Sequence, residues 1–230
     1  MGAAQTAQAR LNCGPVRILC VATKPPWPAI DGGRLVLWKT IEALSRAGHQ
    51  ISLVAPEIGR GSTTSPDAVS AMKRHCKPTV VGVRRRSVID LAPSTLLTGL
   101  PITVLRHHHA LVQAAVAHEI GEFAPEVVHV EQLQAFSNAE AALVRGYPVV
   151  LREQNVEADL WLQMATKSTL LSPVLRFEAM RLRHFETTAV RRSTRVATLT
   201  ERDAVELRLR AGMSSPSVVR RVGFPFPAHL

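Results

Sequence analysis

Short apolar runs alternate along almost the whole chain with stretches whose apolar residues recur every three or four positions. Arg17–Ala22 (RILCVA) is a nearly continuous apolar run bounded by proline and charge, the pattern of a buried parallel strand. Lys24-Pro25-Pro26-Trp27-Pro28 is a stiff loop in which no helix can form. Beyond Asp31, a good N-cap residue, Leu37, Ile41 and Leu44 fall at helical spacing, and Ala47-Gly48-His49 stops the helix with glycine. Ile51–Ala55 is the next run, so Arg17–Ala55, under forty residues, predicts a βαβ unit. The alternation predicts a helix over Val69–His75 and a strand over Thr79–Val83. Helices follow over Val104–Phe123 and Ala135–Arg145, with strands over Val127–Val130 and Val149–Arg152. Val174–Val190 reads as a long amphipathic helix with Leu175, Ala179, Leu182, Phe185 and Ala189 on one face. A strand over Val196–Leu199 and a helix over Glu201–Arg210, ending at Ala211-Gly212, complete the pattern. Alternating strands and helices of this kind build a doubly wound parallel α/β sheet.

Composition narrows the function classes. The 230 residues suit one domain or a tight pair, and 46% are apolar, enough for a sizeable core. The apolar runs fall well short of the roughly 20 residues needed to span a bilayer. The stretch over residues 1–14 lacks the apolar segment of a signal peptide and is expected to be a flexible tail. Cys13, Cys20 and Cys76 are too few and too scattered for a disulfide framework or a zinc ribbon, which fits a reducing compartment and a cytoplasmic location. The net charge of +10 favours an anionic partner, be it a phosphate-bearing ligand, an acidic membrane or a nucleic acid. With one Tyr, three Trp and six Phe, and no recognition helix or zinc module, a specific nucleic-acid partner is not expected.

Ligands of open α/β sheets bind beyond the carboxyl ends of the strands, so the residues after each apolar run carry the candidate chemistry. Gly32 and Gly33 leave backbone N–H groups uncovered at a helix start, and Arg34 in the first turn opposes the helix dipole unless an anion lies nearby. The trio reads either as a phosphate pocket or as a tight turn with a solvated arginine. No G-x-G-x-x-G fingerprint is present, against a nicotinamide or flavin enzyme. His129 and Glu131 share one face of a strand, where a carboxylate can orient an imidazole for proton transfer or where the two can simply bond to each other. In Arg152–Glu157, Asn155 and Glu157 can read hydroxyls, and Asn155 is a candidate helix cap. His107-His108-His109 does not suggest a metal site, because consecutive helical positions diverge by about 100°. Arg84–His109 mixes basic and apolar residues, which suits an anionic membrane surface or a loop with its leucines turned inward.

Taken together, these stretches resemble the N-terminal domain of family 4 glycosyltransferases of the GT-B fold. RILCVATKPPWPAIDGGRLVLWKTIEALSRAGHQISLVAP is similar to that family's first βαβ unit. EVVHVEQL is similar to its fourth-strand signature and VVLREQNVEADLW to its next strand and polar turn. RFEAMRLRHFETTAVRRSTRVATLTERDA is similar to the segment leading towards the second domain. The resemblance runs from about Arg17 to Arg210. It implies a Rossmann-like acceptor-side domain over residues 15–212 that transfers a sugar from a nucleotide-sugar donor to a carbohydrate or lipid acceptor, with no cofactor and usually no metal. Gly32 and Gly33 would face the donor phosphates, assisted by Arg34. His129 and Glu131 would lie on the acceptor side near the reacting carbon, and Asn155 and Glu157 would line the same cleft. Family members often carry His before the Asn of the polar turn. Here Gln154 stands in that place and cannot shuttle a proton. Residues 213–230 are expected to open the linker to a donor-binding domain that this sequence lacks. Two outcomes follow: a working enzyme that takes its donor half from elsewhere, or a non-catalytic binding remnant. Exposure of the interdomain face, partly covered by Phe224 and Phe226, would favour self-association.

Overall fold

The computed structural model describes residues 14–59, 64–213 and 218–222. The expectations for the tail, Phe224 and Phe226 lie outside them. Strands β1 (Arg17–Val21), β2 (Gln50–Ile58), β3 (Lys77–Val83), β4 (Val127–Glu131), β5 (Val149–Glu153), β6 (Arg195–Thr198) and β7 (Val219–Arg221) form one seven-stranded sheet in the order β3-β2-β1-β4-β5-β6-β7. Every pairing is parallel, so both faces must be covered. The α/β, Rossmann-like architecture expected from the pattern is therefore present. Strand β7 falls within the stretch read as the start of a linker.

Two helices, α1 (Gly32–Arg46) and α2 (Pro66–Lys73), cover one face. Leu37, Trp38 and Ile41 of α1 and Met72 of α2 meet Ile18, Cys20, Ile51 and Leu53 from the sheet. Cys20 and Cys76 are free thiols buried in this cluster, and burial pushes that of Cys76 up to about 12. Helices α3 (Val88–Thr98), α4 (Ile102–His107), α5 (Ala110–Phe123), α6 (Glu140–Val144), α7 (Glu157–Lys167), α8 (Ser172–Arg192) and α9 (Glu201–Ala211) complete the chain order, with a 3-10 turn over Leu133–Ala139. The second core joins Val112, Val116 and Ile120 of α5 to Phe136, Leu182 of α8 and Leu207 of α9, over Val128, Val130 and Leu151 of the sheet.

Several elements differ from the pattern. The helix expected over Val104–Phe123 is two helices, broken at His108-His109. Buried Asn138 accepts from the His109 backbone N–H at 3.1 Å and donates to the His107 carbonyl at 2.7 Å, which takes both groups out of a continuous helical ladder. The helix expected over Ala135–Arg145 is the 3-10 turn followed by α6. Helices α3 and α7 were not apparent from periodicity. Within Arg84–His109, Leu91, Val104 and Leu105 turn inward while Leu97 is exposed. A reciprocal Ser87–Asp90 capping box starts α3.

Candidate functional site

Strand β1 leads to α1 on one face and its neighbour β4 leads to the 3-10 turn on the other. The two chain paths diverge between these strands, and the crevice of the fold opens there. Its floor is made by the residues just past the strand ends. Thr23 donates from Oγ1 to Gln132 Oε1 at 2.8 Å, tying the β1 exit to the β4 exit. Gln132 carries φ 71° and ψ 148°, a backbone region that glycine normally occupies. It is held there by its N–H to the Arg152 carbonyl at 2.9 Å and by its own carbonyl, which accepts from the Ala135 N–H. Strain of this kind, on the order of 1–3 kcal/mol, collects at sites that need a side chain aimed in a set direction.

Helix α1 points its N-terminus into the crevice. Asp31 is the N-cap, accepting from the Arg34 N–H at 3.0 Å, so the expected capping role holds. Its carboxylate also bonds Lys24 Nζ at 2.9 Å and lies 3.3 Å from Arg34 Nε. Desolvation alone would raise the Asp31 carboxyl, but the Arg34 N–H and the Lys24 ammonium outweigh it and hold the group below its usual range. One carboxylate thus serves two cations, which leaves a net positive charge at the helix start. A Cβ added at Gly32 would meet only open space. One added at Gly33 would lie 3.3 Å from Gln132 Nε2 and 3.4 Å from Asp31 Oδ1 and Gln154 Oε1. The Gly-Gly pair therefore divides its duties: Gly33 lets the amides of Gln132 and Gln154 close over the helix, and Gly32 faces outward. Beside them is a cavity of about 240 Å³ lined by Lys24, Trp27, Arg34, Glu57 and His107 among others. Burial, with Arg106 nearby, pushes the His107 imidazole down to about 4, so it is neutral, and its buried Nδ1 has no partner among the described residues.

His129 and Glu131 both lie on the α1 side of the sheet and bond to each other, Nε2 to Oε2, at 3.1 Å. The network extends beyond the pair. Arg152 on β5, paired with Glu131 in the β4–β5 register, donates to Glu131 Oε2 from Nε at 2.8 Å and to Thr40 Oγ1 of α1 from Nη1 at 2.7 Å. Gln154 donates to the other carboxylate oxygen at 2.9 Å. Glu131 and Arg152 are 2% and 5% exposed. Burial would raise the Glu131 carboxyl, yet the His129 hydrogen bond and the Arg152 guanidinium hold it below the usual carboxylate range. Ionised Glu131 can only accept, so His129 Nε2 is the donor of this bond. No partner for Nδ1 is found among the described residues.

The polar turn after β5 is divided differently from the sequence expectation. Asn155 is exposed and does not cap α7; the N-cap position is Val156, without a side-chain cap. The cap comes from α8, where Glu186 accepts from the Glu157 N–H at 2.8 Å. A capping partner 29 residues away leaves no local signature. Burial raises the Glu157 carboxyl against an opposing hydrogen bond from Gln134. Burial likewise carries Glu186 up to about 7, although the Glu157 N–H and Arg210 favour its charged form. Among the described residues no hydrogen bond joins Asn155 or Glu157 to His129 or Glu131. The structure therefore brings together Gly33, Gln132, Gln154, Glu131, Arg152 and His129. Of these, sequence reasoning had not singled out Gln132 and Arg152 as site residues. No group of three His, Cys, Asp or Glu side chains is placed to hold a metal ion among the described residues.

The same architecture recurs in solved structures. A UDP-glucosyltransferase from Polygonum tinctorium, capable of glucosylating indoxyl and solved with 3,4-dichloroaniline, superposes with a TM-score of 0.56 at 15% identity, over 94% of this chain and 53% of that one. Arabidopsis thaliana UGT89C1 complexed with UDP-L-rhamnose gives 0.52 at 12% identity, over 94% and 51%. Phytolacca americana UGT2, complexed with UDP-2-fluoro-glucose and pterostilbene, gives 0.51 at 13%, over 93% and 55%. The chain spans about half the length of these proteins and has the fold of one half of a GT-B structure. No protein-family model matches the chain, and no curated protein matches its sequence.

Proposed function

We propose that the chain is the acceptor-side half of a GT-B glycosyltransferase of the family 4 type. It would act on a nucleotide-sugar donor and a carbohydrate or lipid acceptor, with the donor domain supplied by further polypeptide. The observation that carries this reading is the crevice at the switch point. There an outward-facing Gly32, the α1 N-terminus and a surplus cation among Lys24, Arg34 and Asp31 lie beside Gln154, which bonds the Glu131–His129 pair behind it. In the proposed reaction the acceptor hydroxyl oxygen bonds to the anomeric carbon of the sugar. The donor's phosphate oxygen leaves with the bonding pair, and its charge is stabilised by the helix start and Arg34. His129 Nδ1 is the group suited to receive the hydroxyl proton. Glu131 acts through His129 as a positioning residue, since its own oxygens are occupied. Asn155 is available at the rim for acceptor hydroxyls, and Glu157 belongs to the wall behind it.

Product formation from a panel of nucleoside-diphosphate sugars, read by mass spectrometry, tests the reading in the protein joined to its donor half. Gly32→Asp places a carboxylate where the phosphates would approach and is expected to abolish transfer with the fold intact. Survival of donor-dependent transfer in that variant would remove the phosphate assignment. A binding module without turnover is the second reading, and Gln154 favours it, because an amide replaces a proton-carrying group at the turn. Acceptor binding with no transfer to any donor, even with the donor half present, would select it.

A further inference from the structure

Helices α7 and α8 form an antiparallel hairpin whose far end is not part of the crevice machinery. Helix α8 is about 30 Å long and β5 about 17 Å, and α8 must return to the start of β6, so its first turns extend past the carboxyl edge of the sheet. That end carries an apolar surface. Leu170 is 88% exposed, Val174 64%, Phe177 54% and Met180 61%, with Leu171 beside them. Val174, Phe177 and Met180 follow one another at i, i+3 spacing on a single face. Arg181 donates to the carbonyls of Thr95 and Leu100, which seats the end of α3 against α8, and its guanidinium lies 5.7 Å from the Phe177 ring.

Charge decides what this surface suits. Lys167, Arg176 and Arg183 are exposed around it. The only acidic residue between Leu160 and Phe185 is Glu178, which is buried and bonded to the Ile102 N–H and to Arg181 Nη1. Along the described hairpin, the exposed charged residues beside the apolar face are therefore all cations. A two-fold contact with a second copy would set these cations against their own equivalents. An anionic bilayer matches both properties, because apolar side chains enter the acyl boundary while Lys and Arg meet the headgroups. No helix among the described residues is long and apolar enough to cross a membrane, so the contact is interfacial.

We propose that the projecting end of the α7–α8 hairpin, through Leu170, Leu171, Val174, Phe177 and Met180 with Lys167, Arg176 and Arg183, docks the protein in the plane of an anionic lipid surface. The contact needs no sugar transfer and stands or falls separately from it. Co-sedimentation with phosphatidylcholine vesicles, with and without phosphatidylglycerol, measures it. The wild-type chain is expected to bind the anionic vesicles and to bind neutral ones far more weakly. Val174→Ser with Phe177→Ser, both on exposed positions, should lower binding at least about tenfold without moving the thermal midpoint. Arg176→Gln with Arg183→Gln should lower it by roughly fivefold for each charge removed. Arg84→Gln with Arg85→Gln, at the end of β3, removes the same charge outside the hairpin and should bind within about twofold of wild type once its lower net charge is allowed for. Wild-type binding to anionic vesicles that survives the Val174/Phe177 change overturns the proposal, as does absence of binding. So does loss of a concentration-dependent dimer in that variant while vesicle binding persists, which would make the face a contact between copies.

Discussion

Glu131 is a buried carboxylate whose neighbours His129, Arg152 and Gln154 all donate to it. Removing Arg152 leaves the buried Glu131 carboxylate its hydrogen bonds from His129 and Gln154 but takes away the guanidinium that balances its charge. Arg152→Ala is expected to cost about 3–5 kcal/mol, because it strands the Glu131 charge in the interior. Adding Glu131→Gln to that variant should recover part of the loss, and urea unfolding of the single and double variants measures the coupling. The two glycines give a second contrast. Gly32→Ala enters open space and trades glycine for a helix former, so its stability should stay level or rise by up to about 1 kcal/mol. Gly33→Ala displaces the Gln132 and Gln154 amides, so its loss should be larger, and thermal midpoints rank the two. The i, i+2 spacing made the His129–Glu131 pair legible. Arg152 was legible only as part of a polar turn, since its bond to Glu131 depends on strand register, which no local pattern carries. Gln132 was missed because a non-glycine residue at positive φ has no signature in composition.

At the scale of elements, periodicity located β1 to β6 and α1, α5, α8 and α9, whose apolar faces repeat regularly. It failed where one distant side chain sets the boundary. Asn138 ends α4 and separates it from α5, and Asn138→Ala should cost about 1–3 kcal/mol by leaving buried backbone groups unpaired. Glu186 supplies the cap of α7 in place of Asn155, and its titration gives a pH signature. Its folded value of about 7 lies above the ordinary 4.5. The stability it contributes is therefore full below about 4.5 and lost as pH rises through about 7. Glu131, held low, has the opposite sense: its contribution is present above the ordinary carboxylate value and is lost as pH falls through the lowered one. Glu186→Gln keeps an oxygen for the Glu157 N–H and removes the charge. Its thermal midpoint should overtake that of wild type as pH rises past neutrality, and a gap that stays constant with pH would contradict the assignment.

Across the whole molecule, alternation of strands and helices gave the parallel sheet, and the parallel sheet places the crevice between β1 and β4. The depth of that crevice and the polar network behind it come from pairings between β4, β5 and α1, separated by as many as 112 positions along the chain. On the proposed function, the start of α1 receives the phosphates of a nucleotide sugar. Titration of the 15N-labelled chain with nucleoside-diphosphate sugars, followed by amide shifts, tests it most directly. The largest changes are expected on the N–H groups of Gly32, Gly33 and Arg34, with smaller ones at Gln132 and Gln154, and Gly32→Asp is expected to remove them. Shifts confined to other surfaces, or none at millimolar donor, would contradict it.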